Sequence, residues 1–118
     1  MERRKLTEDE ARERVAGLDG WKLKEDKIKK YYKFADFAGA LAFVNKVGEI
    51  AERMDHHPDI KLGWGYARVK TTTHDRDGLT DYDFELARQI DAIAPAQSEE
   101  DEETKTSDDP AVNVESPS

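Results

Sequence analysis

The chain has no cysteine, which excludes disulfides, thiolate nucleophiles and cysteine-based zinc sites together. Serine is absent before Ser98, so a serine–histidine–carboxylate triad has no nucleophile ahead of the C-terminal tail. Threonine nucleophiles have no supporting feature. No apolar run has the length of a membrane span, and the start, Met1-Glu2-Arg3-Arg4-Lys5, is charged and leads into no apolar stretch. The expectation is a soluble, unexported, cytoplasmic protein with no membrane partner.

What is present is compact and ionic. At 118 residues, 36% apolar and 39% charged, the chain suits one small domain with a dense ionic surface, and self-association is a natural way to bury more area. The net charge of −8 is unevenly spread. From Pro95 onward eight acids face only Lys105, a net of −7, which leaves −1 for residues 1–94. A near-neutral domain with a repulsive tail is a poor candidate for nucleic acid. The division expected is a folded domain over residues 1–95 and an acidic, disordered tail over 96–118, which either solubilises the chain or meets a protein partner.

The folded part alternates helical and strand periodicities. Thr7-Glu8-Asp9-Glu10 has the form of a capping box and predicts a helix over 8–18, stopping near Gly20. Alternation over 21–23 and 28–34, with Glu25-Asp26 between, predicts a hairpin. Asp36 is placed to cap a long helix with a stripe of Phe37, Leu41, Val44, Val47, Ala51 and Met54, ending near Asp55 because Pro58 biases His57 away from helical geometry. A second hairpin follows over 60–64 and 66–73, turning around Gly63 and Gly65. Thr80 then caps a last helix carrying Phe84, Ala87, Ile90 and Ile93. The order α-β-β-α-β-β-α predicts an α+β domain: a four-stranded antiparallel sheet with three helices packed on one face.

All three histidines fall near the middle of this pattern, His56 and His57 at a helix-to-strand junction and His74 after a strand. Such a layout brings the two junctions to one edge of the sheet. Metal binding is a weak reading, because adjacent histidines leaving a helix diverge and no His-x-x-x-His or Glu-x-x-His spacing fixes two ligands on one face; the expectation is no metal. General acid–base work fits imidazoles better, since they donate and accept protons near neutrality. The plain structural alternative is that His-His-Pro only closes the long helix, with a histidine favourable at the negative end of its dipole. Glu52, one turn before His56, either orients an imidazole or faces water. Trp64, at a strand end, reads as core. Asp83, three beyond Thr80, reads as the reciprocal partner of a capping box.

Glu52-x-x-x-His56-His57-Pro58, followed by Trp64, His74 and Asp83, resembles the signature of the pterin-4a-carbinolamine dehydratases. Gly20-Trp21, Phe34-Ala35-Asp36-Phe37, Thr73-His74 and Gly78-Leu79-Thr80 also look like family positions, and the resemblance spans residues 6–94. Ile60 and Gly63-Trp64-Gly65 depart from the family pattern. The resemblance implies a hydro-lyase that converts a 4a-hydroxytetrahydropterin, such as 4a-hydroxytetrahydrobiopterin, to the quinonoid dihydropterin and water, in tetrahydropterin recycling. By that resemblance His56, His57, His74 and Asp83 are catalytic, with His56 and His74 the preferred acid–base pair. Asp55, His56, His57, Thr72, Thr73, His74 and Asp75 contact the pterin, and Glu52, Pro58 and Trp64 support the site. It further implies no cofactor beyond the pterin substrate, and a homodimer or homotetramer. The competing expectation is a dehydratase-like protein that acts by binding another protein, as a coactivator or an assembly factor.

Overall fold

A computed structural model describes residues 3–95 of the chain. The expected tail over 96–118 lies outside the described residues, where the order is α1 (Glu8–Ala16), β1 (Lys22–Lys24), β2 (Lys27–Lys33), α2 (Phe37–Met54), β3 (Asp59–Gly63), β4 (Tyr66–Thr71) and α3 (Asp81–Ile93), with a single 3₁₀ turn at His74–Arg76 before the last helix. The strands form one antiparallel sheet in the order β1-β2-β4-β3, so the two hairpins meet through β2 and β4. This is the α+β arrangement that the periodicities predict.

Pleating decides what each strand buries. Ile28 and Tyr32 of β2 and Ala67, Val69 and Thr71 of β4 are sealed, together with Phe43, Val47 and Ile50 of α2 and Phe84, Leu86 and Ile90 of α3. The Tyr32 and Phe43 rings meet at a tilt, 4.7 Å between centroids, and Phe34 lies 5.1 Å from Phe43. The same pleat turns Lys30 toward the helices. Its ammonium meets Asp91 of α3 at 3.0 Å, where Trp21 Nε1 and the Tyr32 hydroxyl also donate, at 3.1 and 2.6 Å. A charged residue on a buried register is thus neutralised by a partner 61 positions away. Burial, and then the adjacent carboxylate, push the Tyr32 phenol well above its usual range.

Several boundaries and faces differ from expectation. α1 ends at Ala16, two residues early, capped by Gly17. Trp21 precedes β1 and is buried. The predicted α2 stripe holds over its second half, where Val47 and Ala51 are buried and Val44 and Met54 pack against the core, with Ala40, Phe43 and Ile50 buried beside them; Phe37 and Leu41, in the first two turns, are instead 43% and 40% exposed. Two apolar stripes coexist on this helix, and the one that includes the large ring of Phe43 is the one that packs. Ile93, in the last turn of α3, is likewise exposed.

Trp64 also departs from expectation. Gly63 pairs with Tyr66, which makes Trp64-Gly65 the two-residue turn of the hairpin, with Gly65 at φ +80°. Trp64 is 65% exposed, so the core reading is wrong. A Cβ on Gly63 would fall 2.2 Å from the Tyr66 ring, which explains a glycine at that strand end.

Candidate functional site

The site begins with the way α2 stops. Asp55 adopts left-handed backbone angles (φ 53°, ψ 44°), its N–H reaches Glu52 O at 3.3 Å, and the N–H of His56 reaches Ala51 O at 3.0 Å. This is a Schellman turn with aspartate where glycine is usual, and it satisfies carbonyls that the helix end would otherwise leave open. The reversal sends the two adjacent histidines to opposite environments. His56 is tucked beneath the helix end and buried, whereas His57 is exposed and its Nε2 meets Glu52 Oε2 at 2.8 Å. Glu52 therefore orients a histidine while remaining in water, and the histidine is His57.

His56 reaches a carboxylate that is itself sealed. Asp83 lies in the first turn of α3 with no exposed surface. Its Oδ1 meets His56 Nε2 and Thr71 Oγ1, each at 2.6 Å, and its Oδ2 meets Thr73 Oγ1 at 2.8 Å and the Thr80 N–H at 3.0 Å. The Thr73 and Thr80 hydroxyls lie 2.9 Å apart, and Thr80 Oγ1 accepts from Tyr82 N–H, so the predicted capping box is present inside a larger network. A carboxylate has about four acceptor positions, and four partners fill them. An ionised carboxylate only accepts, so this arrangement puts the ring hydrogen of His56 on Nε2. Nδ1 has no hydrogen bond to any described residue.

The strand register brings the other segment alongside. Asp59 pairs with Lys70, and Ile28 with Thr71, so the start of β3, the end of β4 and the β1–β2 turn share one end of the sheet. Thr73 and Gly78 close the loop between β4 and α3 with paired backbone hydrogen bonds, and the loop turns at Asp77 with φ 56°. His74 and Asp75 are exposed on this loop, one and two residues beyond Thr73. Thr72 points the other way, its hydroxyl donating to Asp26 O at 2.6 Å. The Thr73 hydroxyl and N–H both have partners inside the protein.

The described N-terminus lies across the same corner. Arg3 donates to Asp55 O at 3.1 Å and stacks 4.4 Å above the Tyr82 ring, and that ring lies 5.8 Å from the His56 imidazole. The Arg3 carbonyl accepts from Arg76 Nε at 2.6 Å. Beside His57, an open hollow of about 870 Å³ runs between α2 and β3, lined by residues that include Gly48, Glu52, His57, Pro58 and Ile60. It contains neither His56, His74 nor Asp83.

The residues singled out in the sequence thus gather unequally. Asp55, His56, His57 and Asp83 gather at the end of α2, and His74 follows directly on Thr73, which bonds Asp83. Trp64 does not join them: it lies past the far end of β3, five residues from the end where His57 and Pro58 enter, or about 16 Å at the usual strand rise. Thr71, Tyr82 and Arg3 are site neighbours that sequence reading missed, whereas Thr80 was read as the cap that Asp83 completes. The Thr71-Thr72-Thr73 run carries the signal for one of them, since alternation places 71 and 73 on one face and 72 on the other. Among the described residues, no group of three or more metal-ligating side chains is gathered.

Residues 4–93 match the family model described as pterin 4 alpha carbinolamine dehydratase. The chain belongs to the pterin-4α-carbinolamine dehydratase family. Among the family's curated members, a protein of Sulfurisphaera tokodaii is 47% identical over 90 residues, spanning 76% of this chain and 97% of its own length. One of Acidobacterium capsulatum is 46% identical over 88 residues, covering 75% and 96%. Among solved structures, a transcriptional coactivator/pterin dehydratase from Brucella melitensis is 35% identical, with a TM-score of 0.74 over 77% of this chain and 99% of its own. A pterin dehydratase-like protein described as a RuBisCO assembly factor in the alpha-carboxysome shares the fold at 22% identity, with a TM-score of 0.54 over 65% and 89%. Among the described residues, no helix is long and apolar enough to cross a membrane.

Proposed function

We propose that this member of the dehydratase family is catalytic and removes water from a 4a-hydroxytetrahydropterin such as 4a-hydroxytetrahydrobiopterin. The observation that carries this reading is the fully engaged, sealed carboxylate of Asp83 gripping His56 by Nε2. A histidine needed only to close a helix has no use for three hydroxyl- and amide-bonded supports behind its partner. One required to pass a proton at Nδ1 needs a fixed ring and a fixed tautomer.

The reaction consumes one proton and returns one. An imidazolium gives its proton to the C4a hydroxyl, the C–O bond breaks with loss of water, and a neutral imidazole takes the proton from the ring nitrogen as the new double bond forms. His56 and His74 are the pair assigned these steps, and the exposed His57, steadied by Glu52, is the third imidazole at the site. Asp55 and Asp75 supply pterin contacts and Thr72, whose hydroxyl is turned to Asp26 O, does so through its backbone alone, while Thr73, already committed to Asp83 and Gly78, serves by holding the acid. No redox change occurs, so the steps call for no cofactor.

The test is the dehydration rate of authentic 4a-hydroxytetrahydropterin with the His56→Ala and His74→Ala proteins. Loss of a general acid or base is expected to lower turnover by roughly 10²- to 10⁴-fold, with the fold intact by circular dichroism for His74→Ala, whose side chain is exposed. Unchanged turnover in both variants would remove them from the mechanism.

Two further points accompany this reading. The exposed Phe37 and Leu41 of α2 offer apolar surface for self-association, so a homodimer or homotetramer is expected in sedimentation, and a monomer at micromolar concentration would contradict it. The second functional reading, binding of a protein partner, is favoured by the likeness to the Brucella melitensis protein described as a transcriptional coactivator/pterin dehydratase. It becomes the better one if the purified chain leaves the dehydration at its spontaneous rate.

A further inference from the structure

The segment from Arg3 to Leu6 bonds both halves of the site without belonging to either. Leu6 anchors it: the side chain sits in the core, 5% exposed, and its N–H donates to Leu79 O at 2.8 Å. Lys5 then runs along Gly78, where an added Cβ would fall 2.7 Å from the lysine Cε, so that glycine gives the segment room against the loop between β4 and α3. Arg3, half-buried, holds a different element at each end. Its carbonyl accepts from Nε of Arg76, in the turn that begins with His74, at 2.6 Å. Its Nη2 donates at 3.1 Å to the carbonyl of Asp55, the left-handed residue that precedes His56. The same guanidinium lies 4.4 Å over the ring of Tyr82, which is 5.8 Å from the His56 imidazole.

We propose that Arg3 is a positioning residue of the dehydration site: it ties the turn carrying His74 to the helix end that delivers His56, and so sets the spacing of the two imidazoles. This rests on the dehydratase reading, in which those histidines act on the C4a oxygen and the ring nitrogen of one substrate. Asp83 and its partners grip His56, but they do not reach the exposed turn beyond Thr73. Within that turn the N–H groups of Arg76 and Asp77 return to Thr73 O and His74 O. Among the described residues, the hydrogen bond that leaves His74–Arg76 for a distant part of the chain is the one from Arg76 to Arg3 O. A displacement of about 1 Å in a reacting group can cost up to about 10²-fold in rate, so a tie of this kind is felt in turnover. Arginine suits the place, because its plane can lie on the tyrosine ring while an in-plane N–H reaches a carbonyl at the negative end of α2. The guanidinium keeps its proton, so Arg3 acts on position and not on proton transfer.

The test compares the full chain with its Arg3→Ala, Arg76→Ala and doubly substituted forms in dehydration of authentic 4a-hydroxytetrahydropterin. Each single change is expected to lower kcat about tenfold, with KM altered by less than about twofold. Both changes cut one tie, so the double variant should be about as slow as the slower single one, whereas a loss of about a hundredfold would make the two effects independent and overturn the proposal. In amide spectra, Arg3→Ala is expected to shift Asp55 and His56 together with His74 and Asp77, and to leave Leu62 and Ala67, toward the far end of the sheet, in place. Full turnover of folded Arg3→Ala overturns the inference and leaves the dehydratase reading standing. So does a rise in KM at unchanged kcat, which would make Arg3 a substrate-binding group. A fall in kcat that follows a lower urea midpoint and is recovered on cooling would mean that Arg3 only holds the fold, and overturns it too. An unsubstituted chain that leaves the substrate at its spontaneous rate removes the dehydratase reading itself, and the positioning role with it.

Discussion

At the scale of single residues, the buried network turns on Asp83 rather than on the histidines that first draw the eye. It occupies a helix first turn, where a carboxylate is favourable, and it satisfies its own cap through the Thr80 N–H. The same side chain then has capacity for His56, Thr71 and Thr73. Asp83→Asn replaces an acceptor-only group with an amide whose NH₂ faces donors. With at least one buried donor left unpaired, a stability loss of about 1–3 kcal/mol is expected by urea titration, together with a steep fall in dehydration. Thr71→Val removes one donor at nearly constant shape and should cost a similar amount, while Thr71→Ser restores it. Equal stability of the valine and serine proteins would show that the Thr71 hydroxyl does not support the carboxylate. The histidine set and the capping role of Asp83 were legible in the sequence, because both rest on local spacing. The pairing of His56 with Asp83, 27 residues apart, was not, since nothing local specifies it.

At the scale of elements, the end of α2 shows how a backbone turn sends two adjacent side chains to different environments. Pro58 forecasts the break, and the Schellman geometry at Asp55 decides which of two identical neighbours goes inside. The stripe on the same helix was right from Val44 onward and wrong at Phe37 and Leu41, because a helix that is apolar over a wide arc carries two plausible faces, and the packing of Phe43 against Tyr32 and Phe34 selects between them. Capping boxes, by contrast, are local and were read correctly at Thr7–Glu10 and Thr80–Asp83. The first has a pH signature. The Arg4 guanidinium, together with the Thr7 backbone N–H, holds the Glu10 carboxyl at about 2, below its ordinary 4.5. A lowered folded-state value contributes stability above the unfolded value that disappears as pH falls through the folded one. The α1 cap should therefore weaken between pH 4.5 and about 2. Glu10→Gln should flatten that part of the acid-unfolding curve, and an unaltered curve would show that the contact adds nothing in solution.

At the scale of the whole molecule, the two sides of the sheet do different work. The helix side holds the core and, at one end, the carboxylate–histidine network; the open side is lined with lysines, which the near-zero sum over residues 1–94 averages with acids elsewhere in the domain. Near-neutrality of residues 1–94 was legible from counting, but the segregation of sign within them becomes visible only once strand register puts lysine opposite lysine. Tyr32, sealed between the sheet and α3, links core integrity to alkaline pH. Its folded-state ionisation is raised, so the stability it contributes is present below the ordinary tyrosine value of about 10 and is lost as pH rises above it. Of the four tyrosines, Tyr32 should yield its phenolate absorbance only on unfolding, whereas a phenolate signal equal to all four in the folded protein would contradict its burial.

The central claim is that this fold and this carboxylate–histidine network make a working dehydratase. Stopped-flow dehydration of freshly generated 4a-hydroxytetrahydrobiopterin by the purified full chain tests it most directly. The expected result is decay faster than the spontaneous rate, proportional to protein concentration and carried away by His74→Ala. Decay at the spontaneous rate, with native protein, would contradict it.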